Sequence, residues 1–247
     1  MLSILKNRFE QGYRTSGYPR DTVSVFPRYR GRPQVNQDAP PDMVAACVSA
    51  CPQDAIDGAS KKIDMGRCIF CGTCERLSKG AFISFSNDFE IATSEKQHLL
   101  TDGTLPDLAG HARQHFKKLF GRSLQLRQVS AAGCNACEAD LNVLATPFFD
   151  LARFGINFVA SPRHADGIVV TGPISRNMKT ALLQTYEAVP APKVVIAVGS
   201  CTITGGPFLG SSEITEGLDK LLPVDLFIPG CPPHPLTNLH ALLTFFK

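Results

Sequence analysis

Five short, largely apolar runs follow Gly121: LQLRQV, INFVAS, GIVVTG, KVVIAVG and VDLFIPG. Stretches with helical spacing separate them, near 138 to 152, 175 to 188, 212 to 222 and 236 to 246. Apolar runs of this length, set between helical stretches, read as parallel strands buried on both faces. The pattern predicts an α/β fold in which a doubly wound, flavodoxin-like parallel sheet is built with right-handed crossovers.

Ahead of that region the periodicity changes. LPDLAGHARQHFKKLFG sets Leu108, Ala112, Phe116, Leu119 and Phe120 on one helical face, with Arg113, Lys117 and Lys118 opposite and Gly121 as a stop. This is the pattern of an amphipathic helix, which packs on its own domain or, as basic amphipathic helices can, on a partner or membrane surface. Residues 41 to 93 form a small segment with two short strand or turn signals, IDMGRCIF and AFISFS. A unit of this size buries little apolar surface, so bound metal would supply much of its folding free energy. Residues 1 to 40 are rich in Arg, Pro, Gly and Tyr without a sustained period, the pattern of an extended arm that becomes ordered against other surfaces. Lys6, Arg8, Arg14, Arg20, Arg28, Arg30 and Arg32 make the arm basic against Glu10 and Asp21. It suits either docking on an acidic partner or anionic surface, or plain solvation.

The 247 residues carry 44% hydrophobic and 19% charged side chains and a net charge of +3. These are ordinary globular values with room for two domains, and so small a charge does not suggest a nucleic-acid binder. No apolar run is long enough to span a bilayer, and the start lacks the apolar segment and small-residue cleavage site of a signal peptide. A cytoplasmic protein is expected. In that reducing compartment the nine cysteines are metal ligands or redox groups rather than structural disulfides.

The cysteines fall in two sets of unlike spacing. In the first, CIFCGTC gives Cys68, Cys71 and Cys74 at the x2, x2 spacing that wraps three corners of a cubane cluster. Cys51 stands before Pro52, as does the remote ligand in two-cluster ferredoxins, and is the fourth candidate. In the second set Cys134 and Cys137 follow LQLRQV, Cys201 follows KVVIAVGS and Cys231 follows VDLFIPG. Carboxyl ends of parallel strands share one sheet edge, so these four thiols are expected to converge there. Structural zinc also accepts four cysteines, usually from two local knuckles. Here only one pair is local, which favours a cubane with zinc as the alternative. Gly133, Gly199, Gly205, Gly206 and Gly230 let backbone approach a bulky inorganic core, while Pro232 and Pro233 set the exit after Cys231.

Several polar residues near these cysteines admit two readings. Arg163 and His164 tune a cluster or belong to a surface loop. Glu138 caps a helix start favoured by the dipole, or handles protons beside the cluster. Asp140 reads as surface, and His234 as a loop histidine or a partner contact.

With GCNACEAD, SPRHADGIVVTGPISRNM, VVIAVGSCTITGGPF and VDLFIPGCPPHP in view, the region from about 124 to 247 resembles a small-subunit family. That family is shared by membrane-bound, energy-converting nickel-iron hydrogenases and the 20 kDa subunit of respiratory complex I. The resemblance implies that Cys134, Cys137, Cys201 and Cys231 hold the 4Fe-4S cluster nearest a catalytic large subunit. The complex I branch carries two adjacent cysteines where this chain has Cys134-Asn135-Ala136-Cys137, so the spacing is similar to that of the hydrogenase branch, formate hydrogenlyase included. The first 93 residues resemble polyferredoxin-type subunits, with a departure: Pro41, Val44 and Ser78 stand where a full pair of motifs needs cysteines. One cluster is then lost, and Cys47 is left as a buried thiol. The implied organisation is a basic arm (1 to 40), a ferredoxin-like 4Fe-4S domain (41 to 93), a linker with an amphipathic helix (94 to 122) and a small-subunit domain (123 to 247). The implied function is electron relay through two 4Fe-4S clusters, Cys51, Cys68, Cys71 and Cys74 holding the other one. Electrons pass to or from a nickel-iron large subunit, and further ferredoxin-like or membrane subunits attach the complex to the cytoplasmic side of the membrane. A complex I-like quinone oxidoreductase module, a hydrogenase-related module whose partner has lost its metal site, and a zinc-stapled interaction protein are the alternatives.

Overall fold

The computed structural model describes residues 2–106, 108 and 123–246. The expected amphipathic helix lies outside the described residues except at its start, where Leu108 is buried.

The expected extended arm begins instead with a helix, α1 (Leu2–Gln11). LSILKNRFEQ holds mostly good helix formers and no Gly or Pro before Gly12. Beyond it the arm lies against the rest of the protein. Tyr18 is buried with its hydroxyl 2.6 Å from His240 Nδ1. Arg153 donates to the carbonyls of Ser16 and Tyr18 at 2.7 and 2.8 Å, and Tyr29 Oη stands 3.1 Å from Thr237 Oγ1.

Next come β1 (Pro33–Val35), α2 (Pro41–Ala50), β2 (Ile56–Asp57), β3 (Lys62–Asp64), α3 (Thr73–Ser78), β4 (Ile83–Phe85) and β5 (Leu100–Thr101). β1 pairs antiparallel with β4, while β2, β3 and β5 form a second small antiparallel sheet. Ile63, Phe82 and Ile83 are the large buried side chains here, packed with Cys47, Cys68 and Cys74. Sulfur thus takes a large share of a thin core.

The rest of the chain supplies β6 (Leu124–Ser130), α4 (Ala136–Val143), β7 (Ile156–Phe158), β8 (Gly167–Thr171), β9 (Ile174–Ser175), α5 (Arg176–Ala188), β10 (Val194–Val198), α6 (Ser200–Thr204), β11 (Ile214–Thr215), β12 (Leu226–Ile228) and α7 (Pro235–Phe246). A five-stranded sheet runs β12-β10-β8-β6-β7 with every neighbouring pair parallel. In chain order of its own strands this is 2-1-3-4-5, the flavodoxin-like doubly wound arrangement with a switch point between β6 and β8. Side chains alternate between two layers. Leu126, Val169, Ile196 and Ile228 face α4 and α7, whereas Val129, Ile168, Val195 and Phe227 face Leu182 of α5 and Ile203 of α6.

Two predicted helices differ from the sequence pattern. The one near 138 to 152 stops at Val143 and is followed by a 3-10 turn, Leu151–Phe154. Pro147 lacks an amide hydrogen and disfavours helical backbone at Thr146. The stretch from 212 to 222 is no α-helix: β11 pairs antiparallel with β9, and Leu218–Lys220 is a 3-10 turn. Ile214, Leu218, Leu221 and Leu222 imitate a helical stripe, but Gly217 at φ +95° breaks it.

Candidate metal centres

Cys51, Cys68, Cys71 and Cys74 line one cavity together with Ile63 and Phe85, with about 320 Å³ of atom-free space reaching out to solvent. The loop that delivers three of them turns through left-handed backbone at Phe70 (φ 54°) and Gly72 (φ 70°). Backbone amides already aim at sulfur: Phe70 N donates to Cys68 Sγ and Ala55 N to Cys51 Sγ, each at 3.3 Å. Burial pushes the Cys68 thiol far up, and the negative charges of Cys74, Cys51 and Cys71 add to it. Burial likewise raises Cys74 to about 11. For Cys71 burial works upward too, but the Thr73 donors and the Arg76 charge outweigh it and leave the thiol below its ordinary value. Cys47 does not line this cavity. It is fully buried, its thiol 3.6 Å from the Cys74 carbonyl oxygen.

The second set meets at the carboxyl edge of the parallel sheet. Cys134 leaves the loop after β6, Cys137 lies in the first turn of α4, Cys201 in α6, and Cys231 just beyond β12. Burial dominates the rise of the Cys137 thiol, followed by repulsion from Glu138, Cys201, Cys231 and Cys134. Cys201 is pushed up to about 11 by burial and then by Cys231 and Cys134, and Cys231 by burial and Cys134. Cys137 and Cys201 feel the charges of neighbouring thiolates, as thiols sharing one site must. Backbone closes around them: a β-carbon on Gly199 would stand 2.7 Å from Cys137 Sγ, and one on Gly206 would stand 2.9 Å from Cys201 Sγ. Cys134 and Cys231 are exposed, so this site opens to the surface, whereas Cys68 and Cys74 are buried.

All nine cysteines are free thiols. Among the described residues, no three His, Cys, Asp or Glu side chains are arranged as ligands of a single metal ion. The donor chemistry fits a larger, sulfur-bridged group: each set gathers four cysteines, burial raises Cys68, Cys74, Cys137, Cys201 and Cys231, and glycines or amides approach sulfur at both sites. A cationic iron core would offset both the burial and the mutual repulsion of the thiolates at each site.

Glu138 turns inward. It is 6% exposed, and its Oε1 accepts from Ser130 Oγ at 2.6 Å and Thr171 Oγ1 at 2.7 Å, beside Cys137 rather than free at the helix start. Asp140, expected on the surface, is half-buried, and burial lifts its carboxyl above the usual range. Arg163 and His164 sit on a 3-10 turn at the surface, both exposed. His234 accepts from Leu236 N at 3.1 Å, packs 5.0 Å from the Tyr29 ring, and is lowered by burial.

Sequence reasoning missed the seam between the two sites. Ser200 donates from Oγ to the Cys68 carbonyl at 2.7 Å, and Thr204 from Oγ1 to the Gly66 carbonyl at 3.1 Å. The only signal was the three hydroxyls in GSCTIT, too common to single out.

The profile of NADH ubiquinone oxidoreductase, 20 Kd subunit, matches residues 134–245. The probable membrane-bound hydrogenase subunit mbhJ of Pyrococcus furiosus is 41% identical over 126 residues, covering 51% of this chain and 75% of that one. Formate hydrogenlyase subunit 7 of Escherichia coli is 42% identical over 124 residues, 50% of this chain and 49% of its own length. An NADH-quinone oxidoreductase subunit of Clostridium beijerinckii is 39% identical over 166 residues, 66% of this chain and 90% of that one. With its cysteine-bearing sheet edge inside the matched region, this chain belongs to the family of the 20 kDa subunit of NADH ubiquinone oxidoreductase.

Proposed function

We propose that this chain is the electron-transfer subunit of a multi-subunit nickel-iron hydrogenase of the formate hydrogenlyase or energy-converting type. Cys134, Cys137, Cys201 and Cys231 hold one 4Fe-4S cluster, and Cys51, Cys68, Cys71 and Cys74 hold a second. The observation that carries this reading is the convergence of four cysteines from three strand ends on one exposed sheet edge. Such an edge suits a site that must face another polypeptide, here a large subunit that carries the nickel-iron centre.

Iron-sulfur clusters supply one-electron chemistry whose potential depends on hydrogen bonds to sulfur, nearby charge and solvent access. The protein's part is to set those three. Phe70 N and Ala55 N donate to sulfur in the first site. Glu138 contributes negative charge beside Cys137. Gly199 and Gly206 admit the sulfur atoms without a side chain between. No helix among the described residues is long and apolar enough to cross a membrane, so attachment to the cytoplasmic face would come through partner subunits.

A second reading, membership of a complex I-like quinone oxidoreductase, is favoured by the match to the Clostridium beijerinckii protein over 90% of its length. A large subunit carrying two CxxC pairs in the isolated complex supports the hydrogenase reading, and its absence removes it. Metal analysis tests both against a zinc-stapled protein. About eight iron and eight acid-labile sulfide per chain are expected, and two zinc with no sulfide would sink the redox account. Cys51→Ser is expected to lose one cluster's paramagnetic resonance signal while Cys47→Ser keeps both; equal loss in both variants would overturn the ligand assignment.

A further inference from the structure

The two cysteine sites are joined by a bonded route. Ser200 immediately precedes Cys201, and its hydroxyl, on a residue 1% exposed, donates to the backbone carbonyl of Cys68 at 2.7 Å. The amide of Ser200 donates to Gly230 O at 2.9 Å, one residue before Cys231. A continuous path therefore runs from Cys68 Sγ through its own carbonyl, across one hydrogen bond, and along Ser200 into Cys201 Sγ. A second approach between the sites, from Ile69 and Phe70 toward Cys231 and Pro232, crosses a cleft of about 200 Å³. Thr204 makes a similar bond nearby, but to Gly66, which is not a cysteine and lies off this path.

We propose that Ser200 is the positioning residue that couples the two cluster sites electronically, its hydroxyl holding the Cys68 carbonyl against the residue that is bonded directly to Cys201. This rests on the two-cluster reading above. One electron leaves the reduced site and one arrives at the oxidised site. The Ser200 hydroxyl keeps its proton and forms no new bond. Electron tunnelling favours a bonded route over an open gap, and a buried carbonyl deprived of its donor relaxes away or admits water, so the route depends on this one hydroxyl.

The test uses the full chain loaded with iron and sulfide, partly reduced by photoreduced flavin, a one-electron donor. Electron exchange between the two clusters is followed by rapid-freeze paramagnetic resonance. S200A is expected to keep both signals and slow the exchange several-fold, S200T to restore it, and T204V, which removes the off-path bond, to leave it unchanged. Should S200A lose a cluster, S200G is the second hydroxyl-free variant and carries the same expectation. Exchange at the wild-type rate in a fully loaded S200A or S200G would overturn the proposal, as would equal slowing in T204V or no recovery in S200T. A wild-type chain without iron and sulfide would instead remove the two-cluster reading itself, before any variant is compared.

Discussion

At Gly199 the backbone has φ 87° and ψ 154°, a region open essentially to glycine alone, and a β-carbon would stand 2.7 Å from Cys137 Sγ. Gly199→Ala is therefore expected to cost about 1–3 kcal/mol of strain and to displace one ligand. Iron per chain should fall by about half, with the first site's signal intact. Retention of both signals would show that the glycine serves only the turn. Glu138 is a second residue with a local consequence. Its carboxylate accepts from the exposed Ser130 and from the buried Thr171, and Glu138→Ala leaves both hydroxyls without that acceptor. A loss of about 1–3 kcal/mol in denaturant unfolding is expected, and Glu138→Gln, which keeps an acceptor oxygen, should recover part of it. The gathering of Cys68, Cys71 and Cys74 with Cys51 was legible from local spacing and a following proline, and that of Cys134, Cys137, Cys201 and Cys231 from their places at strand ends. The inward turn of Glu138 was not, because its partners lie on β6 and β8, out of reach of any local pattern.

Among the elements, the segment after α1 is held by few but specific bonds. Arg153 reaches the carbonyls of Ser16 and Tyr18, and Tyr18 reaches His240 on α7. Arg153→Ala is expected to lower the local opening free energy of residues 14–32 by about 1–3 kcal/mol, the loss of two hydrogen bonds. Hydrogen exchange should quicken in that segment alone, and an unchanged rate there would show the bonds to be idle. The strands of the parallel sheet could be read from sequence because burial on both faces leaves a run of apolar side chains, as in Val194–Val198. The stretch around Ile214 and Leu218 could not, since one apolar spacing serves a helix and a strand-plus-turn equally well. Helix α6 is only five residues long, too short for periodicity to register, yet it carries Cys201 and the hydroxyls of the seam.

Across the whole molecule, the two units differ in what holds them together. The α/β region supplies most of two apolar layers, into which Met65, Ile91 and Leu99 also pack, whereas the unit around Cys51 and Cys68 has a thin core shared with cysteine sulfur. Iron removal by a chelator is expected to split thermal unfolding into two transitions, the earlier one in residues 33–105, with the sheet's circular dichroism retained to the second. A single unshifted transition would mean that the small core suffices alone. The units also meet at the far side of the sheet, where Thr93 and Phe227 exchange both backbone hydrogen bonds, at 3.0 and 2.8 Å. β12 is the outermost strand there, and bare strand margins recruit other chains. Thr93 thus acts as a built-in guard rail. Dividing the gene between the two units and producing the α/β half by itself would strip that margin, and the isolated half should self-associate edge to edge.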